Sequence, residues 1–164
     1  MPKLNWFFSL VATLGISSMA VLPAQGQAFL PYTPEIDSEA LEKQGLLLIQ
    51  DAIQLIRLQQ LERALPAAKL ATQLAPSYYQ TWFVLGNLYI QKKDLDQGIA
   101  LLEKARKIEP EDANILFTLG NAYFQQKDYA GAIKAIKTGL KLNPESPAAF
   151  FDLGNAYLMS NQYD

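Results

Sequence analysis

Asparagine and phenylalanine recur at a fixed spacing in the second half of the chain. Three asparagines each follow a Leu-Gly pair, lie 34 residues apart, and come four residues after a phenylalanine. They are Asn87, Asn121 and Asn155, preceded by Phe83, Phe117 and Phe151. A side-chain amide both donates and accepts hydrogen bonds, so a row of amides can pair with a peptide backbone, while the rings offer apolar surface. Such a row is suited to noncovalent contacts, whereas it offers nothing for covalent catalysis.

The residue types on which most enzymes and metal sites depend are missing. The 164 residues include no histidine and no cysteine. This removes the usual zinc ligands, the disulfides, and the commonest general base and thiol nucleophile. The acidic residues Glu109, Glu111 and Asp112 flank a predicted turn and are not arranged for acid and base work with a nucleophile in reach. We therefore expect no catalytic residue, no metal and no bound cofactor.

The composition predicts a folded domain without a nucleic-acid partner. Half of the residues are apolar and only 18% are charged, which argues against a disordered chain. The 14 basic residues are balanced by 16 acidic ones, so no strong positive field is expected that would attract a phosphate backbone.

Apolar residues at helical spacing surround each Leu-Gly pair. Trp82, Leu85 and Tyr89 lie three and four residues apart, and a second such run extends over residues 99–105, which predicts two helices with one buried stripe each. Small residues such as Gly86 and Gly98 would let these two helices approach closely. The residues assigned to this packing role are Trp82, Leu85, Gly86, Tyr89, Leu119, Gly120, Tyr123, Leu153, Gly154 and Tyr157.

This pattern resembles the tetratricopeptide repeat. Leu-Gly-Asn recurs every 34 residues with a large apolar residue three positions before it and a tyrosine three positions after its glycine, and Pro110 and Pro144 close two of the units. The resemblance implies an all-α fold, a right-handed superhelical solenoid of antiparallel helix pairs. It also implies that the first helix of each pair lines a concave surface that binds extended peptides or helices of other proteins.

The repeat predicts the order of units along the chain. Residues 79–112 and 113–146 form complete repeats, and residues 147–164 hold only the first helix of another. Residues 39–78 form a divergent capping repeat, since terminal repeats are commonly atypical. The aspartates Asp94 and Asp128 follow polar turns and are expected to cap the second helix of each pair.

The resemblance implies which side chains face a bound peptide. These are Phe83, Asn87, Ile90 and Gln91, then Asn114, Phe117, Asn121, Phe124 and Gln125, then Phe151 and Asn155. Chaperone-binding members of the family clamp a carboxylate with lysine and arginine, and phenylalanines take the place of those lysines here. Asparagine and aromatic residues at these positions are also the commonest choices of the family, so their presence alone does not distinguish a tuned site from a generic array.

The amino-terminal segment predicts export from the cytoplasm. No charged residue lies between Lys3 and Glu35, and residues 6–22 are almost continuously apolar. We interpret residues 1–28 as a signal peptide cleaved after Ala28 or Gly26, and residues 29–38 as a tether. The alternatives are an uncleaved membrane anchor and a buried helix of the domain. The expected location is a periplasm or a thylakoid lumen.

Three functions are compatible with these expectations. The first is a scaffold or assembly factor that binds partner peptides or helices in the concave surface. The second is the substrate-recruiting arm of an enzyme whose catalytic domain lies beyond Asp164. The third is self-association, because Phe150, Leu153 and Tyr157 lack a partner helix within the sequence and leave an apolar flank, so that the chain is either a fragment of a longer protein or is completed by another chain.

Overall fold

The computed structural model describes residues 37–160 of the chain. The predicted signal segment and most of the tether lie outside these residues, as do the last four residues. The described part contains seven α-helices and no strand. They are α1 (Ser38–Arg57), α2 (Leu61–Leu74), α3 (Tyr79–Gln91), α4 (Leu95–Ile108), α5 (Ala113–Gln125), α6 (Tyr129–Leu142) and α7 (Pro147–Ser160). None of these helices is both long and apolar enough to cross a membrane.

Aspartate side chains cap the amino-terminal ends of several helices. Asp94 accepts a hydrogen bond from the backbone N–H of Gln97, and Asp128 accepts one from Gly131. Both caps were predicted from the polar turns, and both are confirmed. Asp37 and Asp112 do the same at the starts of α1 and α5. Each cap satisfies a donor that the first turn of a helix leaves unpaired.

Three-residue turns join the helices into hairpins. The middle residue of each turn has a left-handed backbone conformation, with φ of 58° at Gln59, 67° at Lys93 and 67° at Lys127. This conformation lets the next residue turn back, so that the N–H of Asp94 donates to Tyr89 O at 2.9 Å and the N–H of Asp128 donates to Tyr123 O at 2.9 Å. The pairs α1/α2, α3/α4 and α5/α6 are therefore antiparallel.

Glycine allows the two helices of a hairpin to touch. A Cβ atom added to Gly86 would lie 2.9 Å from Leu102 Cγ and 3.1 Å from the carbonyl oxygen of Gly98. The equivalent Gly120 packs against Ile136 in the next hairpin. The predicted close approach at these positions is confirmed, because no larger side chain fits without movement.

The hydrophobic core runs along the stack of hairpins. Each first helix contacts its own partner helix and both helices of the preceding hairpin where these exist, as in other repeat proteins. Fully buried side chains lie at these contacts, and the largest are Leu88, Leu102, Ile115, Leu119, Ile136 and Thr81. The hydroxyl of Thr81 donates to Tyr78 O at 2.8 Å, so this buried polar group is satisfied.

The first hairpin differs from the others in length. Its first helix, α1, spans 20 residues, whereas α3 and α5 span 13 each. The shared part includes Gly45, where an added Cβ atom would lie 2.8 Å from Ala75 Cβ. The repeat length of 34 residues predicts the position of Gly45 in this hairpin. It does not predict the additional helical turns of α1 that precede Gly45.

Candidate functional site

One face of the stack is formed by the first helices α3, α5 and α7. Neighbouring first helices contact each other directly, so their outward sides make one continuous surface, which we call the first-helix face. Among the side chains predicted to line it, Gln91, Asn114, Asn121 and Phe151 are exposed. The half-buried ones are Phe83, Asn87, Phe117, Phe124, Gln125 and Asn155.

Ile90 is the exception, and its predicted place on this surface is wrong. Only 7% of the side chain is exposed, and it packs against Gly98 of α4. Because Gly98 has no side chain, Ile90 fills the space between the two helices instead of pointing outward. It belongs to the same buried cluster as Leu102 and Ala105.

The three phenylalanines have different surroundings. Phe83 packs partly against the core on both sides of α3. The ring of Phe117 lies on α6, where a Cβ atom added to Gly139 would be 2.6 Å from Phe117 Cε1. Phe151 is 70% exposed. Phe117 therefore contributes to hairpin packing, and its removal is not a clean test of binding.

The three asparagines also differ in how their amides are used. Asn87 Nδ2 donates to the carbonyl oxygen of Phe83 at 3.2 Å, inside its own helix. Asn121 Oδ1 accepts from Gln125 Nε2 at 2.6 Å, and no protein acceptor within residues 37–160 takes its own amide hydrogens. The side chain of Asn155 makes no hydrogen bond to the described part of the chain. Unused hydrogen-bonding groups therefore concentrate on α5 and α7.

A small pocket lies between α5 and α7 on this face. Its volume is about 80 Å³, and it is lined by Gly120, Asn121, Phe124, Ile136, Asp152 and Asn155. Burial raises the pKa of the Asp152 carboxyl above its ordinary value. Sequence reasoning missed Asp152, although a signal was present: the residues 34 and 68 positions earlier are Thr118 and Val84, which carry no charge.

The opposite side of the stack carries the charged residues of the second helices. Lys104 Nζ lies 4.6 Å from the centre of the Trp82 ring, and Glu103 pairs with Arg106 at 2.7 Å. Lys137 Nζ donates to the hydroxyl of Tyr157 at 3.4 Å, and Tyr123 donates to Glu103 at 3.4 Å. Several of these charges thus link successive helices. Within residues 37–160 no group of side chains is arranged to hold a metal ion.

The residues assigned to packing mostly fulfil that role, with one informative exception. Leu85, Gly86, Leu119 and Gly120 are buried, while Trp82, Tyr89, Tyr123, Leu153 and Tyr157 are half-buried. Gly154 is exposed, and an added Cβ atom would meet nothing within 4 Å. Of the predicted apolar flank on α7, Phe150 is 55% exposed, whereas Leu153 and Tyr157 pack partly against the buried cluster that includes Ala132 and Ile133.

Comparison with protein families identifies the repeat. A family model described as TPR repeat matches residues 86–127 and 120–161. A second model, described as ChAPs (Chs5p-Arf1p-binding proteins), matches residues 33–104. No curated protein is significantly similar to the chain in sequence.

Several solved structures share the fold. The Arabidopsis OM64 TPR domain has a TM-score of 0.69 at 14% identity, with 71% of this chain and 96% of that domain covered. The first TPR of Spaghetti (RPAP3) bound to the HSP90 peptide SRMEEVD has a TM-score of 0.71 at 14% identity, covering 74% and 96%. YrrB, a TPR protein with an unusual peptide-binding site, has a TM-score of 0.64 at 24% identity, covering 73% and 63%. At these identities the likeness shows the fold.

Proposed function

This chain is a tetratricopeptide-repeat protein, and from that premise we propose that it is a noncatalytic scaffold or assembly factor whose first-helix face binds a peptide or helix of a partner protein. The observation that carries the proposal is the concentration of unused amide groups, on Asn121 and Asn155, beside the half-buried ring of Phe124. A bound peptide backbone would satisfy these groups, and its apolar side chains would cover the rings.

The kind of peptide follows from the side chains on this face. RPAP3 binds a peptide with two glutamates and an aspartate in its sequence. Apart from the buried Ile90, the predicted binding residues of α3 and α5 are amides and phenylalanines, and none of them is cationic. The face is therefore suited to the backbone and the apolar side chains of its ligand, and it is poorly suited to a terminal carboxylate.

We further propose that the protein acts outside the cytoplasm, in a periplasm or a thylakoid lumen. The support is the uncharged segment between Lys3 and Glu35, with its apolar run over residues 6–22. Amino-terminal sequencing of the soluble and membrane fractions tests this. A mature chain that begins near Phe29 supports a cleaved signal, an intact membrane-bound chain supports an anchor, and an intact soluble cytoplasmic chain contradicts the proposal.

The binding proposal is tested by capturing partners from a membrane extract with the full chain and then titrating the purified partner. Asn121→Ala should weaken binding by about 1 to 3 kcal/mol, because buried peptide groups lose a hydrogen-bonding partner. Lys141→Ala is the control, since Lys141 is exposed on α6 and an isolated exposed charge contributes little. Circular dichroism should show that both variants remain helical.

The variant that loses binding shows whether the partner lies on the first-helix face or on the second helices. Equal binding by the parent and by Asn121→Ala, together with a loss in Lys141→Ala, would assign binding to the second helices instead. A captured protein that is chemically modified by a longer form of the chain would favour the recruiting arm of an enzyme.

A second candidate function is self-association through α7. The specific observation is that Phe150, Phe151 and Met159 are all more than half exposed on this helix, which is costly in water. Sedimentation equilibrium should then detect a dimer that Phe151→Ser weakens. A monomer at all concentrations would contradict this candidate.

A further inference from the structure

Asp152 is a carboxylate without a counterion, located on the first-helix face. It lines the pocket between α5 and α7 together with the amides of Asn121 and Asn155. Within residues 37–160 it makes no hydrogen bond and no ion pair. The other lining residues, Gly120, Phe124 and Ile136, offer neither a charge nor a side-chain donor.

The equivalent positions in the other repeats carry no charge. Val84 is buried in the core between the first two hairpins. Thr118 is half-buried, and its hydroxyl donates to the carbonyl oxygen of Asn114 at 2.7 Å. Packing between neighbouring first helices is therefore possible with an apolar side chain or a self-satisfied hydroxyl at this position. The carboxylate of Asp152 is not needed for the fold.

A partly buried and unpaired carboxylate is unfavourable for the free protein. Removing it from water costs free energy, and no cation or hydrogen bond within residues 37–160 compensates for that cost. A positively charged group that entered the pocket would recover that cost through a charge-assisted hydrogen bond. The free protein is thus arranged to favour a cationic ligand at this point of the face.

We propose that Asp152, assisted by the amide oxygens of Asn121 and Asn155, binds the cationic group of a lysine or arginine side chain in a peptide that lies on the first-helix face. The inference rests on the proposed peptide binding and adds the charge of the ligand at one position. The pocket is small, at about 80 Å³, so in the proposed complex the charged head group lies inside it. The aliphatic stem lies outside it, against the ring of Phe124, as long basic side chains commonly do on apolar surface.

The test uses a random nonapeptide mixture passed over the immobilised full chain, followed by sequencing of the retained peptides. Lysine and arginine should be enriched at one position, and aspartate and glutamate should be depleted there. Asp152→Asn, which keeps the shape of the side chain, should remove the enrichment. Individual retained peptides should bind this variant about tenfold more weakly, the effect of losing one hydrogen bond to a charged group.

Two controls make the outcomes distinct. Glu145→Gln removes the same charge from an exposed turn, so it should retain the basic enrichment. Replacing the enriched basic residue by norleucine in a retained peptide should weaken binding to the parent chain and leave binding to Asp152→Asn nearly unchanged.

The outcomes of the peptide selection separate the cation subsite from peptide binding itself. Retained peptides without a basic preference, or with a preference that survives Asp152→Asn, would overturn the cation subsite while peptide binding stands. Retention of no peptide would overturn peptide binding itself, and the subsite with it.

Discussion

Side chains of the same type perform different tasks at equivalent positions of this protein. The amide of Asn87 bonds to its own helix, whereas the amide donors of Asn121 remain available. Residue type and a spacing of 34 identify the row, but they do not say which member has spare hydrogen-bonding capacity. That depends on neighbours such as Gln125, whose side chain reaches Asn121.

The titration of Asp152 leads to a prediction about stability and pH. Burial raises the pKa of this carboxyl in the folded state, so protonation favours folding relative to the ionised form. The resulting contribution to stability is fully present below the unfolded-state pKa and is lost as pH rises through the folded-state pKa. Asp152→Asn should therefore be more stable than the parent at pH 7.

Urea unfolding at several pH values checks this prediction. The advantage of Asp152→Asn should shrink as pH falls from the raised folded-state pKa of Asp152 towards about 4, and it should be absent below that pH, where both states of the parent are protonated. A variant that is less stable than the parent at pH 7 would indicate a favourable partner for the carboxylate and would contradict the account.

The helices themselves could be predicted well from the sequence. The second-helix starts at Leu95 and Tyr129 follow the predicted aspartate caps directly, because a local hydrogen bond determines them. The orientation of Ile90 could not be predicted in this way. Its side chain points inward because Gly98, on the opposite helix, leaves a space that Ile90 fills. The spacing of apolar residues along α3 does not reveal the gap that Gly98 leaves on α4. Comparison of the repeats marks Asp152 as a charged residue at an otherwise uncharged position, but most of its surroundings come from α5 and α6 and could not be predicted from α7 itself.

The packing of helix pairs predicts opposite effects for one substitution at two equivalent glycines. Gly86→Ala should destabilise the protein by about 1 to 3 kcal/mol, because the new methyl group meets Leu102 and the backbone of Gly98. Gly154→Ala should stabilise it by about 0.5 to 1 kcal/mol, since alanine is the better helix former and the space around Gly154 is open.

Chemical denaturation of the two variants measures both changes. A destabilising Gly154→Ala would mean that another helix covers α7 in solution, either from a second copy of the chain or from a bound protein. If a second copy of the chain is responsible, the destabilisation caused by Gly154→Ala should depend on protein concentration.

At the scale of the whole molecule, the contacts that stabilise residues 37–160 join each helix to its near neighbours in the stack. Among the described helices, α5 packs against α3, α4, α6 and α7, whereas α7 packs against α5 and α6. In such an array the elements with fewer neighbours open first. Amide hydrogen exchange in a proven monomer should therefore be faster in α7 than in α5. Equal protection of the two helices would contradict this description.

The central claim is that a partner polypeptide lies on the first-helix face, and site-specific photocrosslinking tests it most directly. A photoreactive phenylalanine derivative is placed at Asn114, which is exposed on α5, or at Lys141, which is exposed on α6. Each full-length variant is irradiated with the purified partner. The account predicts a crosslinked product from position 114 and none from position 141, and Asn121→Ala should reduce its yield. A product from position 141 alone would contradict the claim.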